Sequence, residues 1–255
     1  MAELLSVTKE NGIATVVIDN PPMNVLSNKV AKELDEVFNE LKEDREVISI
    51  ILRGAGERAF MAGADIKEFP DRGKQKDEID VHEVFSKIEN IPKPTIALLN
   101  GFTLGGGLEL ALVCDIRIAE DHIKVGLPEV NLGLLPGAGG TQRLPRLIGA
   151  SKAKEIMFTG ELLTAVEAYR IGIVDQVVGK GNGGREAEEL ARKFAGKSLQ
   201  SLSRIKHLIN KGSNLPLEEG LRLEKQLFDE LFVTDDAKEG VRAFIEKRQP
   251  VFTHK

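Results

Sequence analysis

The order of predicted strands and helices constrains the fold more than any other feature of this sequence. Two runs typical of buried strands, VISIILRG and TIALLNG, flank the helix pattern EIDVHEVFSKIEN, and DIRIAE and IKVGLPEV follow as further strands. After Gly196 the sequence predicts only helices. This order favours an α/β core over residues 1–195, which would contain the functional site, and a helical C-terminal module over residues 196–255.

Local signals near the N-terminus agree with this division. Asn11-Gly12 lies between two alternating apolar runs, which is a strong signal for a β-hairpin. Ser27 can cap a helix over NKVAKELDEVFNELKED, where apolar residues recur at helical spacing. The last helices carry large apolar residues that fit either a core or, as we favour, an oligomer interface: Leu221, Leu227, Phe228, Leu231, Phe232 and Phe244.

Composition excludes several classes of protein. The net charge of −5 and the pI of about 5.6 argue against general nucleic-acid binding. No apolar run approaches the roughly 20 residues of a membrane span, and the N-terminus lacks the basic and apolar stretches of a secretory signal. The single Cys114 excludes an internal disulfide framework and a multi-cysteine zinc site. We therefore expect a globular protein of the cytoplasm with neither nucleic acid nor membrane as a partner.

Several possible motifs are weak. RGAGERA matches G-x-G-x-x-A, but the following segment contains Gly63 and stops at Pro70, so a turn is favoured over a dinucleotide-binding helix. The sequence contains no P-loop, H-E-x-x-H or G-x-S-x-G pattern. The four histidines are therefore interpreted as ordinary residues without catalytic roles: His82, His122, His207 and His254.

Two glycine-bearing turns carry a sharper signal. MAGAD (residues 61–65) and LGGGLE (residues 104–109) each read as the opening of a helix, where backbone N–H groups lack intrahelical acceptors. Two such N–H groups converging from separate turns would form an oxyanion hole, and small residues would let a ligand oxygen approach. The alternative is a pair of ordinary tight loops.

Two acids make the alternative less attractive. Glu109 lies in the apolar run after the glycines, and Glu129 lies in GLPEVNLG. Near an oxyanion hole, two carboxylates could share a water, one accepting its proton and the other delivering a proton to carbon. Like charges held close raise one of the two pKa values, so one acid can stay protonated near neutrality. A solvated loop glutamate remains the alternative for Glu129.

Taken together, these segments resemble the enoyl-CoA hydratase/isomerase, or crotonase, superfamily. The resemblance extends over nearly the whole chain and includes FMAGADIKEF, KPTIALLNGFTLGGGLELALVCDIRIA and GLPEVNLGLLPGAGGTQRLPRLIG. It implies a spiral of ββα units with a C-terminal helical module, assembled as trimers that commonly pair into hexamers. It also implies an acyl-CoA thioester as the small-molecule partner and no metal or further cofactor, because the substrate itself carries coenzyme A.

The resemblance assigns roles residue by residue. The N–H groups of Ala64 and Gly106 would form the oxyanion hole, while Glu109 would activate water for attack at Cβ and Glu129 would protonate Cα. Lys247 would reach a coenzyme A phosphate from a neighbouring subunit. The other residues that the resemblance places against substrate or coenzyme A are Ala62, Asp65, Ile66, Lys67 and Gly137.

This pattern predicts a 2-enoyl-CoA hydratase, a lyase acting in fatty-acid β-oxidation or a related acyl-CoA route. The nearest alternative is a Δ3,Δ2-enoyl-CoA isomerase, which typically lacks the first glutamate, and a more distant one is a non-catalytic relative that binds acyl-CoA or RNA. Four residues depart from frequent choices in the family and are expected to touch the pocket wall: Met61, Leu108, Val125 and Leu127.

Overall fold

In the computed structural model, which describes residues 3–71 and 79–254, the strands form two sheets. The six-stranded sheet has the order β1-β2-β3-β5-β7-β10, and the four-stranded sheet has the order β4-β6-β8-β9. The strands are β1 (Leu5–Glu10), β2 (Ile13–Ile18), β3 (Ser49–Gly54), β4 (Ala59–Ala62), β5 (Thr95–Leu99), β6 (Phe102–Leu104), β7 (Ile116–Glu120), β8 (Lys124–Gly126), β9 (Leu163–Thr164) and β10 (Gln176–Val178). The helices are α1 (Asn28–Glu43), α2 (Val81–Glu89), α3 (Gly106–Leu112), α4 (Gly140–Ile148), α5 (Ala150–Thr159), α6 (Ala165–Arg170), α7 (Gly183–Ala195), α8 (Leu199–Gly212), α9 (Leu217–Phe232) and α10 (Asp235–Ile245).

Successive strand pairs divide between the two sheets. In the pairs β3/β4, β5/β6 and β7/β8, the first strand joins the large sheet and the second joins the small one. Neighbours from this series pair in parallel within each sheet, which requires the chain to return to the same side on every turn. The predicted spiral of ββα units is thereby confirmed, as is the run of helices after Gly196.

The early local predictions are confirmed by backbone geometry. Asn11 and Gly12 both have positive φ, at 52° and 78°, as a two-residue hairpin turn between β1 and β2 requires. Ser27 caps α1 by accepting a hydrogen bond from the Val30 N–H at 3.2 Å. RGAGERA forms a turn between β3 and β4, with Gly56 at a φ of 67°, and not the start of a helix.

Three predicted elements differ from the structure. MAGAD does not open an α-helix, because its backbone pairs with a distant segment: Leu26 N–H donates to Gly63 O, and Asp65 N–H donates to Leu26 O. A 3₁₀ turn at Ile66–Asp71 follows. The strand in IKVGLPEV ends at Gly126 because Pro128 cannot donate to a ladder, and a 3₁₀ turn at Pro128–Leu132 continues the chain. The helix in EIDVHEVFSKIEN begins only at Val81, and residue 78 lies outside the described part of the chain.

The C-terminal helices are tied to the core by a buried lysine. Lys206 of α8 donates from Nζ to Lys93 O at 3.1 Å and to Asp115 Oδ2 at 2.8 Å. The lysine is 8% exposed, so its charge needs these acceptors. Among the described residues, no helix is long and apolar enough to cross a membrane.

A second buried charge, on Asp236, holds the end of the chain. Its carboxylate accepts hydrogen bonds from the Ser198 hydroxyl at 2.5 Å and from the Thr253 N–H at 2.8 Å. It also accepts from the His254 N–H, while His254 Nδ1 accepts from the Leu199 N–H at the start of α8. Asp236 therefore joins the starts of α8 and α10 to the C-terminal tail.

Replacing Asp236 with Ala is expected to lower the free energy of unfolding by about 3 kcal/mol, because several buried donors lose a charged acceptor. Urea denaturation at one fixed protein concentration measures the effect. Asp235→Ala is the matched control in the same helical turn. Its side chain is 79% exposed, so it should cost less than about 1 kcal/mol. Equal losses for the two variants would contradict the role given to Asp236.

The predicted apolar surface lies mostly on α9 and α10. No residue of α9 is buried, and Phe228 and Phe232 are 61% and 65% exposed. Phe244 of α10 is 85% exposed, whereas Leu227 and Leu231 are half-buried. Within the single chain these side chains therefore do not form the core. Large exposed apolar side chains of this kind are typical of a protein–protein interface.

Candidate active site

A cavity of about 740 Å³ opens where three strands of the small sheet end. Ala62 at the end of β4 pairs with Leu104 of β6, which pairs with Gly126 of β8. Because the strands are parallel, the segments that follow them emerge side by side. These segments contribute Ala64, Gly106 and Glu129 to the cavity wall. The β-sheet register thus brings together residues that are far apart in the sequence.

The first segment presents a free backbone donor. Ala64 forms an isolated parallel bridge with Leu26. The two hydrogen bonds of this bridge use the neighbours of Ala64: Gly63 O accepts from the Leu26 N–H, and the Asp65 N–H donates to Leu26 O. Within the described residues, the Ala64 N–H donates to no protein acceptor. Ala64 lines the cavity, so this N–H is available to a bound oxygen.

The glycines of the second segment permit two close approaches. A Cβ on Gly107 would lie 1.9 Å from Met61 O, so only glycine lets α3 pack against β4. A Cβ on Gly106 would lie 3.2 Å from Leu26 Cδ2 and 3.8 Å from the Ala64 nitrogen. Gly106 is the first residue of α3, where an N–H has no intrahelical acceptor. The two predicted N–H groups therefore come from adjacent segments in the same wall.

Glu109 is buried and firmly held. It is 2% exposed, and its Oε1 accepts hydrogen bonds from Ala138 N–H at 2.8 Å and Gly140 N–H at 2.7 Å. Burial raises the pKa of this carboxyl, while the two N–H donors oppose the rise, as do the charges of His82 and Arg143. Both hydrogen bonds fall on one oxygen, so the carboxylate has a fixed orientation beside the cavity.

Glu129 has a different environment. Its Oε2 is buried and accepts no hydrogen bond among the described residues, and the side chain lines the same cavity. Burial raises the pKa of Glu129 to about 7, its own backbone N–H opposes the rise, and the charge of Glu109 adds to it. Near neutrality this group is partly protonated, so it can either donate or accept a proton.

Comparison with known proteins shows the family of this chain. The sequence profile of the family described as "Enoyl-CoA hydratase/isomerase" matches residues 8–255. The chain belongs to this family. It is 43% identical to a short-chain-enoyl-CoA hydratase of Clostridium acetobutylicum over 94% of each chain, and 37% identical to a crotonyl-CoA hydratase of Syntrophomonas wolfei over 99% of each.

Solved structures of family members share the fold. A crystal structure of an enoyl-CoA hydratase from Bacillus anthracis superimposes with a TM-score of 0.93 at 37% identity, covering 99% of this chain and 100% of that one. An enoyl-CoA hydratase from Geobacillus kaustophilus gives a TM-score of 0.94 at 39% identity, covering 99% and 97%. The predicted crotonase-type fold is therefore confirmed over nearly the whole length.

The residues that the family resemblance places against coenzyme A fall into two groups. Those that line the cavity are Ala62, Asp65, Ile66 and Gly137. Lys67 is exposed beside the cavity and is not part of its wall. Lys247, in the turn after α10, is also exposed and is not brought to this chain's own cavity. Neither lysine is therefore joined to the other site residues within one chain.

One expectation about the pocket wall was wrong. Met61, Leu108, Val125 and Leu127 are each 0% exposed and belong to the hydrophobic core, not to the cavity lining. They precede or face away from the segments that reach the cavity. In contrast His82, interpreted as an ordinary histidine, lines the cavity from the first turn of α2. No local pattern in the sequence distinguishes it.

Proposed function

We propose that this protein is a 2-enoyl-CoA hydratase, which adds water across the trans-2 double bond of an enoyl-CoA to give a 3-hydroxyacyl-CoA. The observation that carries the proposal is the pair of carboxyl groups, Glu109 and Glu129, in one cavity beside two backbone donors. Membership of the enoyl-CoA hydratase/isomerase family supports an acyl-CoA thioester as the substrate.

The backbone donors would stabilise the charge that develops on the thioester. The N–H groups of Ala64 and Gly106 would donate to the carbonyl oxygen as it becomes an enolate oxygen. Such preorganised donors are commonly worth about 10²- to 10³-fold in kcat each. Their neighbouring positions in the cavity wall support this assignment.

The two acids would divide the proton transfers. Ionised Glu109 would accept a proton from water as its oxygen attacks Cβ, and protonated Glu129 would deliver a proton to Cα. The two fixed N–H bonds on Glu109 support its role as the ionised partner, and the raised pKa of Glu129 supports the acid role. No metal or further cofactor enters these steps, and that expectation stays a prediction, as does the cytoplasmic location.

An isomerase is the nearest alternative within the family. Moving a double bond needs one acid that shuttles a proton, whereas hydration needs a second group to activate water. Glu109 lines the same cavity as Glu129 and can supply that second group. This favours the hydratase, within fatty-acid β-oxidation or another acyl-CoA route.

Purified protein is expected to hydrate crotonyl-CoA, observed as loss of the conjugated enone absorbance. Longer 2-enoyl-CoA substrates in the same assay would define the preferred acyl-chain length. A 3-enoyl-CoA substrate serves as the comparison, because an isomerase would convert it and leave crotonyl-CoA unchanged. That second pattern would replace the hydratase proposal.

We also propose that residues 196–255 form an oligomerisation module that builds homotrimers, which pair into hexamers. The exposed apolar side chains of α9 and α10 support this, because contact with another subunit would remove them from water. In such an assembly Lys247 would reach coenzyme A bound to a neighbouring subunit, and Lys67 would lie near the nucleotide of its own subunit.

Sedimentation at micromolar concentration is expected to give a trimer or a hexamer. Lys247→Ala should raise KM for crotonyl-CoA with little change in kcat, because the charge contacts substrate and transition state alike. Lys238→Ala, which removes an exposed lysine of α10 that pairs with Asp235, is the control. A monomer, or an unchanged KM for Lys247→Ala, would remove this part of the proposal.

A further inference from the structure

The position of Glu109 depends on a short segment that carries its two hydrogen-bond donors. Residues 138–140, here called the 138–140 segment, precede and begin α4 and hold Glu109 Oε1 through two N–H groups. We propose that Arg143 is a positioning residue that fixes this segment and, through it, the Glu109 carboxylate. The inference rests on the hydratase function and adds residues to it that do not contact the reacting atoms.

The Arg143 guanidinium lies directly against the segment. Its Nη1 donates to Ala138 O at 3.3 Å, and a Cβ on Gly139 would lie only 2.0 Å from the same nitrogen. Gly139 has a φ of 108°, so glycine is needed there for the backbone conformation as well as for the guanidinium. The guanidinium thus packs over the middle residue of the segment that binds Glu109.

The guanidinium is itself held from α2. Arg143 Nε donates to Glu89 Oε1 at 3.0 Å, and Nη2 donates to Glu89 Oε2 at 2.7 Å. The two side chains therefore form a bidentate ion pair. Such pairs fix orientation as well as charge. The side chains are 18% and 33% exposed, so solvent screens the pair only in part. The Glu89 carbonyl in turn accepts from Asn210 of α8 at 3.2 Å.

Arg143 also carries a positive charge that acts on Glu109. Burial disfavours the ionised form of this carboxyl, whereas the Gly140 and Ala138 N–H groups and then the charges of His82 and Arg143 favour it. The Glu109 charge in turn raises the pKa of Glu129. Arg143 therefore has two separable effects on Glu109. The hydrogen bonds and packing of its guanidinium hold the 138–140 segment in place. Its positive charge favours the ionised form of Glu109.

Three variants separate these effects. In Arg143→Met, which loses both, kcat for crotonyl-CoA should fall about tenfold with KM nearly unchanged, since small displacements of a catalytic group are costly. The acid limb of its pH–rate profile should move to higher pH. In Arg143→Lys, which keeps the charge, that limb should stay and kcat should fall less. In Glu89→Gln, kcat should fall with no upward movement of the limb.

Arg117→Met is the matched control. Arg117 makes an ion pair with Asp175 at 2.8 Å, is 5% exposed and lies outside the cavity lining, so its loss should affect stability but not kcat per folded enzyme. If Arg117→Met lowers kcat as much as Arg143→Met, or if Arg143→Met keeps kcat within about twofold of wild type, the positioning role is wrong.

A crystal structure of Arg143→Met tests the inference independently of activity. The 138–140 segment should shift or take a second conformation, and Glu109 should lose at least one of its N–H donors. An unmoved segment and carboxylate would overturn the proposal even if kcat falls. If the wild-type protein does not hydrate crotonyl-CoA, the proposed function fails. The crystal structure of Arg143→Met would still decide whether Arg143 positions Glu109.

Discussion

Replacing Glu109 with Gln is expected to lower kcat for crotonyl-CoA hydration at least ~10²-fold, which is about 2.7 kcal/mol in activation free energy. Glutamine keeps the shape of glutamate and can still accept the two N–H bonds from residues 138 and 140. It cannot accept a proton from water near neutrality. Folding and binding of the CoA ester should therefore survive, and the loss should appear in kcat.

Glu33→Gln offers a closely matched control. Glu33 is also buried, at 6% exposure, and one of its carboxylate oxygens accepts two backbone N–H bonds, from Leu4 at 2.8 Å and Leu5 at 3.0 Å. It lies outside the cavity, so its replacement should leave kcat unchanged. Near wild-type hydration by Glu109→Gln would exclude the two-acid mechanism for this protein.

Replacing Glu129 with Gln should lower kcat by at least a similar ~10²-fold, because the proton donor to Cα is lost. The pKa of about 7 adds a pH dependence to this prediction. Hydration needs protonated Glu129, and the protonated fraction falls as pH rises through 7, so the wild-type rate should fall on the alkaline side. The rate should also fall on the acid side, where protonation removes the carboxylate that accepts a proton from water. The two acids are coupled, so the limbs report the pair and are not assigned to single residues.

Proton exchange distinguishes the two acids. With a saturated acyl-CoA in deuterated water, Glu109→Gln should keep some exchange of the α-proton, whereas Glu129→Gln should lose it. The double variant should lose less than the product of the two single losses, since both acids act in one transition state. If only Glu129 affects the reaction, the isomerase becomes the better interpretation.

Several parts of the fold follow from short-range patterns. The hairpin depends on two consecutive residues, Asn11 and Gly12, and the start of α1 depends on a cap three residues away from its donor. The glycines around Gly106 and the two acids can likewise be identified as candidates from the sequence. For the hairpin and the helix cap the physical cause, a backbone conformation or a local hydrogen bond, lies within a few residues of chain.

Some of the wrong predictions depend on distant partners. MAGAD is extended because its backbone pairs with the segment at Leu26, which is almost forty residues away. Met61 lies in the core and His82 in the cavity wall for a similar reason, because packing between elements decides which face each residue presents. Periodicity describes one element at a time and carries little information about such packing.

By itself, the sequence determined the strand and helix order, the glycine turns and the presence of two acids beside them. Only the tertiary structure decided that the ends of β4, β6 and β8 meet, because parallel register is set between strands. The same packing decided the burial that raises the pKa of Glu129 and the contact of Arg143 with residues 138–140. Desolvation and charge proximity depend on three-dimensional neighbours, which the chain acquires only when the spiral closes.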